Sequence, residues 1–215
     1  MANVITAGNS SNGGTAITTD TSGTLEIKTG TGSGTTAISV DASQNVTIAG
    51  TITASGGVSG GIRSGTAVTA SGTSVDFTSL PTGLKRITVM FSGVSTSGTS
   101  AILVQLGDSG GVENTSYTSG AGGVANSAAT SFATSTAGFL VTVGIAAANT
   151  SSGVITICTL GSNIWTYNSI LASTSSINSI CSGIKTLSDV LDRVRITTVN
   201  GTDTFDAGTI NIFYE

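Results

Sequence analysis

Apolar residues along this chain recur at every second position over short stretches, the period of a β-strand that buries one face. Near the start, Leu25 and Ile27 fall on one face of a predicted strand; Val46, Ile48 and, beyond Gly50, Ile52 do the same further on. These positions belong to a repeat. Ala16-Ile17-Thr18-Thr19-Asp20-Thr21-Ser22-Gly23-Thr24-Leu25-Glu26-Ile27 aligns with Ala37-Ile38-Ser39-Val40-Asp41-Ala42-Ser43-Gln44-Asn45-Val46-Thr47-Ile48 at a constant offset of 21 residues. Each copy reads as strand, turn, strand, with the aspartate of the turn able to cap its own backbone two residues on. One narrow apolar stripe per strand suits β-structure whose apolar face is covered by neighbours, and with only two copies those neighbours are expected to be identical chains. The competing reading is a flexible Ser/Thr/Gly linker, which has no reason to keep an Ile/Val register.

Gly56-Gly57-Val58-Ser59-Gly60-Gly61 marks a boundary. Beyond it the predicted strands are longer and more apolar: Thr66–Thr69, Ser74–Thr78, Leu84–Val94, Ser100–Leu106, Ala137–Ala147, Gly153–Leu160, Asn163–Ala172 and Ala207–Tyr214. Leu80-Pro81-Thr82-Gly83 is a turn. Leu187–Asp192 carries a helical signal and Arg193–Thr198 alternates as a strand, while Glu113–Ala129 reads as a polar loop. No long helical period occurs. The expected fold class is all-β: a short β-stem over 1–58 and an antiparallel β-sandwich, jelly-roll-like, over 59–215.

Composition narrows the chemistry. The chain has 215 residues, 8% of them charged, with no histidine, 7 Lys+Arg and 11 Asp+Glu for a net charge of −4. Without histidine there is no Ser-His-Asp or Cys-His nucleophile and no imidazole metal ligand. Without a basic excess no nucleic-acid surface is expected. The ten aromatic residues all follow Asp76, so the first 76 residues lack the large side chains that dominate a self-sufficient core. The N-terminus has neither a basic start nor a continuous apolar run, so no secretory signal and folding where the chain is made are expected, and the longest apolar stretch, Gly138–Ala148, is too short for a membrane-spanning helix.

Few residues stand out as candidate chemistry. Gly107-Asp108-Ser109-Gly110-Gly111 is similar to the nucleophile segment of trypsin-like proteases, but no histidine is present to take the serine proton, so a tight turn is expected. Asp189/Asp192 and Asp203/Asp206 are the carboxylate pairs closest in sequence, candidates for glycosidase chemistry against the simpler reading of surface ion pairs and turn caps. No calcium-loop spacing is met. Trp165 and Tyr167, two apart, share a strand face: exposed they would form a sugar-stacking platform, buried they would be core. Tyr117, in the predicted polar loop, is a further binding candidate. Cys158 and Cys181 match no CxxC pattern and are expected as buried thiols rather than a disulfide. Asn-x-Ser/Thr matches such as those at Asn9, Asn114, Asn149 and Asn200 are expected by chance in a chain that is about a third Ser and Thr.

The segment Thr36–Ile52 resembles the stem repeats of tailed-bacteriophage tail fibres. Gly61–Thr66, Leu84–Val94, Val104–Gly111, Leu191–Ile196 and Asp206–Glu215 are similar to a C-terminal domain that recurs in phage and prophage fibre proteins. The resemblance implies a homotrimeric virion appendage, assembled in the host cytoplasm, non-enzymatic and needing no cofactor. Its stem would contact other virion proteins of the tail, baseplate or capsid, and its head would bind a host-surface glycan, with Tyr117, Trp165 and Tyr167 as the candidate contacts. A capsid decoration protein or head fibre with a purely structural role is the alternative, and a virion glycan hydrolase the third class.

Overall fold

The computed structural model describes residues 23–29, 34–50, 61–125, 131–144, 146–147 and 149–215. The chain divides into two compact units, Met1–Ser59 and Gly60–Glu215.

In the N-terminal unit, β1 (Leu25–Thr29), β2 (Thr35–Val40) and β3 (Val46–Ile48) form a three-stranded antiparallel meander. The turn joining β2 to β3 is set by Asp41. Its Oδ1 accepts the backbone N–H groups of Ser43 (2.8 Å) and Asn45 (2.9 Å), and its Oδ2 accepts Asn45 Nδ2 (3.0 Å). This is the aspartate cap expected from the repeat. Most of the earlier copy, Ala16–Ser22, and Ile52 lie outside the described residues.

The C-terminal unit carries fourteen strands among its described residues: β4 (Arg63–Ser64), β5 (Val68–Thr69), β6 (Val75–Phe77), β7 (Arg86–Thr96), β8 (Ile102–Asp108), β9 (Gly111–Val112), β10 (Tyr117–Ala125), β11 (Ser131–Ser135), β12 (Phe139–Leu140), β13 (Ser151–Gly161), β14 (Ile164–Ser173), β15 (Ile177–Thr186), β16 (Arg193–Thr198) and β17 (Phe205–Tyr214). They make two antiparallel sheets. The larger runs β11-β10-β15-β14-β13-β7-β17-β4, with β5 also on β17; the smaller runs β12-β8-β16-β6, with β9 on β8. The inward rows meet in one core. Ile87, Val89, Ile155, Ile157, Ile210 and Ile212 of the larger sheet pack in the same cluster as Val75, Val104, Leu106, Val194 and Ile196 of the smaller. The expected all-β antiparallel sandwich is therefore what forms, with unequal layers.

Local chemistry explains the connections. β13 and β14 are joined by the two-residue turn Ser162-Asn163, both at positive φ (49° and 59°), the backbone a type I′ hairpin needs. Where β7 and β17 cross, the register shifts, and Gly208 (φ 93°) lies so close to the Gly93 backbone that a Cβ at 208 would collide with it. This glycine contact bends the two long strands around the core.

Three expectations change. Glu113–Ala129 is not a loop, since β10 fills most of it, and β15 is a strand with no sequence forecast. Among the described residues of Ala137–Ala147, Phe139–Leu140 alone pairs as a strand. Its Phe139–Val143 stretch is buried between the sheets, where Val141 N–H donates to Ile102 O (2.8 Å), Leu140 N–H to Ser119 Oγ (2.8 Å) and Val143 N–H to Ser179 Oγ (3.2 Å), whereas Gly144, Ala146 and Ala147 are exposed. Leu187–Asp192 forms bends rather than a helical turn, its leucines drawn into the core and its carboxylate at 192 onto Arg193.

Candidate functional site

The three aromatic candidates are core residues. Tyr117, Trp165 and Tyr167 are only 2%, 5% and 2% exposed. Trp165 and Tyr167 do share a face of β14, but it is the inward one. The Tyr167 ring stacks on Phe139 with centroids 4.2 Å apart, and Phe139 meets Tyr117 edge-on at 5.0 Å. The Tyr117 hydroxyl accepts from Leu106 N–H (2.7 Å) and sits 3.0 Å from Glu113 O; the Tyr167 hydroxyl donates to Leu140 O (2.5 Å). Burial raises the pKa of both phenols. No ring face is left for a sugar, which corrects the expectation of Tyr117, Trp165 and Tyr167 as a binding set. Strands β10 and β14 turn these three rings to the core.

The carboxylates are occupied as structural anchors. Asp192 holds Arg193 through Nε (2.6 Å) and Nη2 (3.1 Å). Asp203 accepts Asn200 Nδ2 (2.7 Å) and Ser100 N–H (3.0 Å), and those two bonds hold it below the usual carboxylate pKa. Asp206 accepts the Ser95 hydroxyl, and Asp189 caps Val190 N–H. The Asp108–Gly111 segment is a turn. Asp108 Oδ1 takes Gly110 N–H (2.8 Å), and its Oδ2 takes the Ser188 hydroxyl (2.7 Å), which also reaches Glu113 Oε1 (2.8 Å). Behind it the Lys185 ammonium, 3% exposed, pairs with Glu113 Oε2 at 2.5 Å and donates to Thr115 O at 2.9 Å. Among the described residues no group of three or more His, Cys, Asp or Glu side chains is placed to hold a metal, and no helix is long and apolar enough to cross a membrane. Both cysteines are free thiols, Cys181 buried and Cys158 half-buried.

Two surfaces are assembled, the first foreshadowed by the 21-residue repeat and the second by no motif. In the N-terminal meander the register places Leu25, Val40 and Val46 in one row and Ile27, Ile38 and Ile48 in the next, all six on one face. Glu26, Ser39 and Thr47 take the other face. Ile27 and Val46 are 49% and 62% exposed and Ile48 is exposed as well, while Leu25, Ile38 and Val40 are half-buried among the described residues. The second surface is a cleft of about 330 Å³ on the outer side of the smaller sheet, lined by Gln105, Asn114, Arg195, Thr197 and Asn200 and walled by Thr73-Ser74. Its guanidinium is held by Asp76 through two 2.7 Å bonds, and its Thr197 hydroxyl donates to Thr73 O (2.9 Å). These groups are largely engaged within the protein: Gln105 Nε2 donates to Ala137 O (2.9 Å), and the Asn200 side chain donates to Asp203 (2.7 Å) and accepts from Thr198, Thr202 and Asp203.

Against protein-family models, curated proteins and solved structures, the chain gives no match.

Proposed function

We propose that this chain is a non-enzymatic fibre subunit of a tailed-bacteriophage particle, homotrimeric, whose N-terminal meander associates with its copies and whose sandwich binds a host-surface glycan. The observation that carries the reading is the one-sided meander. Six apolar side chains on one face and polar ones on the other are not satisfied by a three-stranded sheet alone, and among the described residues of this unit no second layer covers them. Association of identical chains gives that layer. The Gln105–Arg195–Asn200 cleft takes the place of the aromatic platform as the candidate glycan contact.

Light scattering on the intact protein tests the assembly: three times the 21.0 kDa chain mass is expected, and a mass of one chain would reject the reading. Fluorescently labelled protein added to intact host cells tests receptor binding. The second reading, a structural decoration protein or head fibre of the capsid, is favoured by the burial of all three aromatic candidates, and predicts no cell labelling.

A further inference from the structure

The outer face of the larger sheet carries a row of apolar side chains in lateral register. Starting at the edge, Phe132 on β11 is opposite Gly122 on β10, then come Ile180 on β15, Ile170 on β14, Val154 on β13 and Met90 on β7. Four of them are strongly exposed: Phe132 77%, Ile170 62%, Ile180 51% and Val154 46%. They are flanked by Thr, Ser, Asn and Gly positions such as Asn168, Ser182 and Gly120. Across β11, β10, β15, β14 and β13 the only charged residue is Lys185, and it points into the core.

We propose that this face is where the sandwiches of the assembled fibre pack against one another, with further copies of this chain as its occupant. The proposal rests on the self-association argued above and adds the surface that the C-terminal unit contributes to it.

Charge selects the partner. Copies of a chain with net charge −4 repel through any face that carries the excess. Of the acidic side chains of this unit, Asp76, Asp108, Glu113, Asp189 and Asp192 belong to the smaller sheet, its turns and the segment leading into β16, Asp203 precedes β17, and Asp206 and Glu215 lie on β17 and at its end, on the far side of β7 from these five strands. A face without charge can meet its own copies without like-charge contact, and depletion of charge is what marks the centre of a protein interface. Area agrees. Five strands at ~4.8 Å spacing and about ten residues at ~3.4 Å give a face of roughly 800 Å², which is about what each partner contributes to a standard stable interface. Geometry agrees as well: apart from the edge strand β11, the strands of this face are paired on both sides and form a rigid platform, so little ordering entropy is lost on docking.

The test uses the full chain with Ile170→Cys, at the centre of the row. The variant is labelled with a maleimide under native conditions, and each labelled cysteine is assigned by peptide mass mapping. The expected result is labelling at position 170 at least about tenfold slower than that of free glutathione, in a protein whose mass by light scattering is a multiple of the single chain. Cys181, buried inside the same sheet, must stay unlabelled and so reports that the fold is intact. If Cys181 reacts, Val154→Cys is used in the same way. Rapid labelling at 170 in an assembled protein overturns this inference and leaves the fibre reading standing. A mass of one chain overturns both.

Discussion

Tyr167 on β14 stands directly opposite Gly183 on β15, and its ring occupies the space that a side chain at 183 would need. A Cβ there would sit 3.0 Å from Tyr167 Cε1 and collide with the carbonyl of Thr118. Glycine at 183 lets the ring lie flat over the strand and stack on Phe139 between the sheets. Gly183→Ala is therefore expected to destabilise the sandwich by about 1–3 kcal/mol, the cost of overpacking a filled core. Urea unfolding followed by the fluorescence of Trp165 measures it, and an unchanged midpoint would contradict the packing described.

The Lys185–Glu113 pair gives a second expectation. Lys185 is held inside by Glu113 and Thr115 O, with its ammonium 5.0 Å from the centre of the Tyr117 ring. Removing only the acid, Glu113→Gln, leaves a buried cation without its counter-charge and is expected to cost about 3–5 kcal/mol. The double variant Glu113→Gln with Lys185→Met removes both charges and is expected to recover most of that loss. A double variant as unstable as the single one would show that the pair's charge is not what matters.

The same cluster makes the fold sensitive to acid. Burial works to raise the Glu113 carboxyl, yet the bond from Lys185 and two from Ser188 bring it below its ordinary value. The Ser188 hydroxyl and Gly110 N–H hold Asp108 down as well. Both groups thus have a lower pKa folded than unfolded. Their stabilisation is complete above the unfolded carboxylate value, about 4, and is lost as pH falls through the folded values. With no histidine in the chain, no imidazole adds a transition near neutrality. The urea midpoint is expected to be level from pH 7 to about 5 and to fall below about 4. Glu113→Gln combined with Asp108→Asn should flatten that fall.

The fold was readable where alternation was strong. Ile155 and Ile157 inward with Val154 and Thr156 outward announce β13, and Ile210 and Ile212 announce β17. It was unreadable in β10 and β15. Between Tyr117 at the start of β10 and Ile177 and Lys185 at the ends of β15, the inward positions are Ser119, Ala121, Gly123, Ser179, Cys181 and Gly183, so the period-2 signal is weak and turn-forming residues take its place. Those small residues are needed because Phe139, Tyr167 and the Leu140–Val143 segment fill the layer above them, a demand of tertiary packing that local sequence does not carry. The site suffered in the same way. Position alternation put Trp165 and Tyr167 on one face but could not say which. The cleft brings Gln105 to Arg195 and Asn200 from a segment far away in sequence, and the outer apolar row needs the pairing of six strands to become visible.

The N-terminal meander yields the sharpest contrast, because adjacent residues of β2 point to opposite faces. Ile38 lies between Ile27 and Ile48 in the apolar row, whereas Ser39 lies between Glu26 and Thr47 on the polar face. Ile38→Asp places a carboxylate in the middle of the face assigned to association, where burial without a partner is costly in each chain of the assembly. Ser39→Asp adds the same charge one residue away on the wetted side. Sedimentation of the full-length variants is expected to show Ile38→Asp dissociating toward single chains at concentrations where the unaltered protein is assembled. Ser39→Asp should sediment as the unaltered protein does. Equal behaviour of the two would mean that the apolar face does not hold the copies together, since the variants differ only in the face that receives the charge.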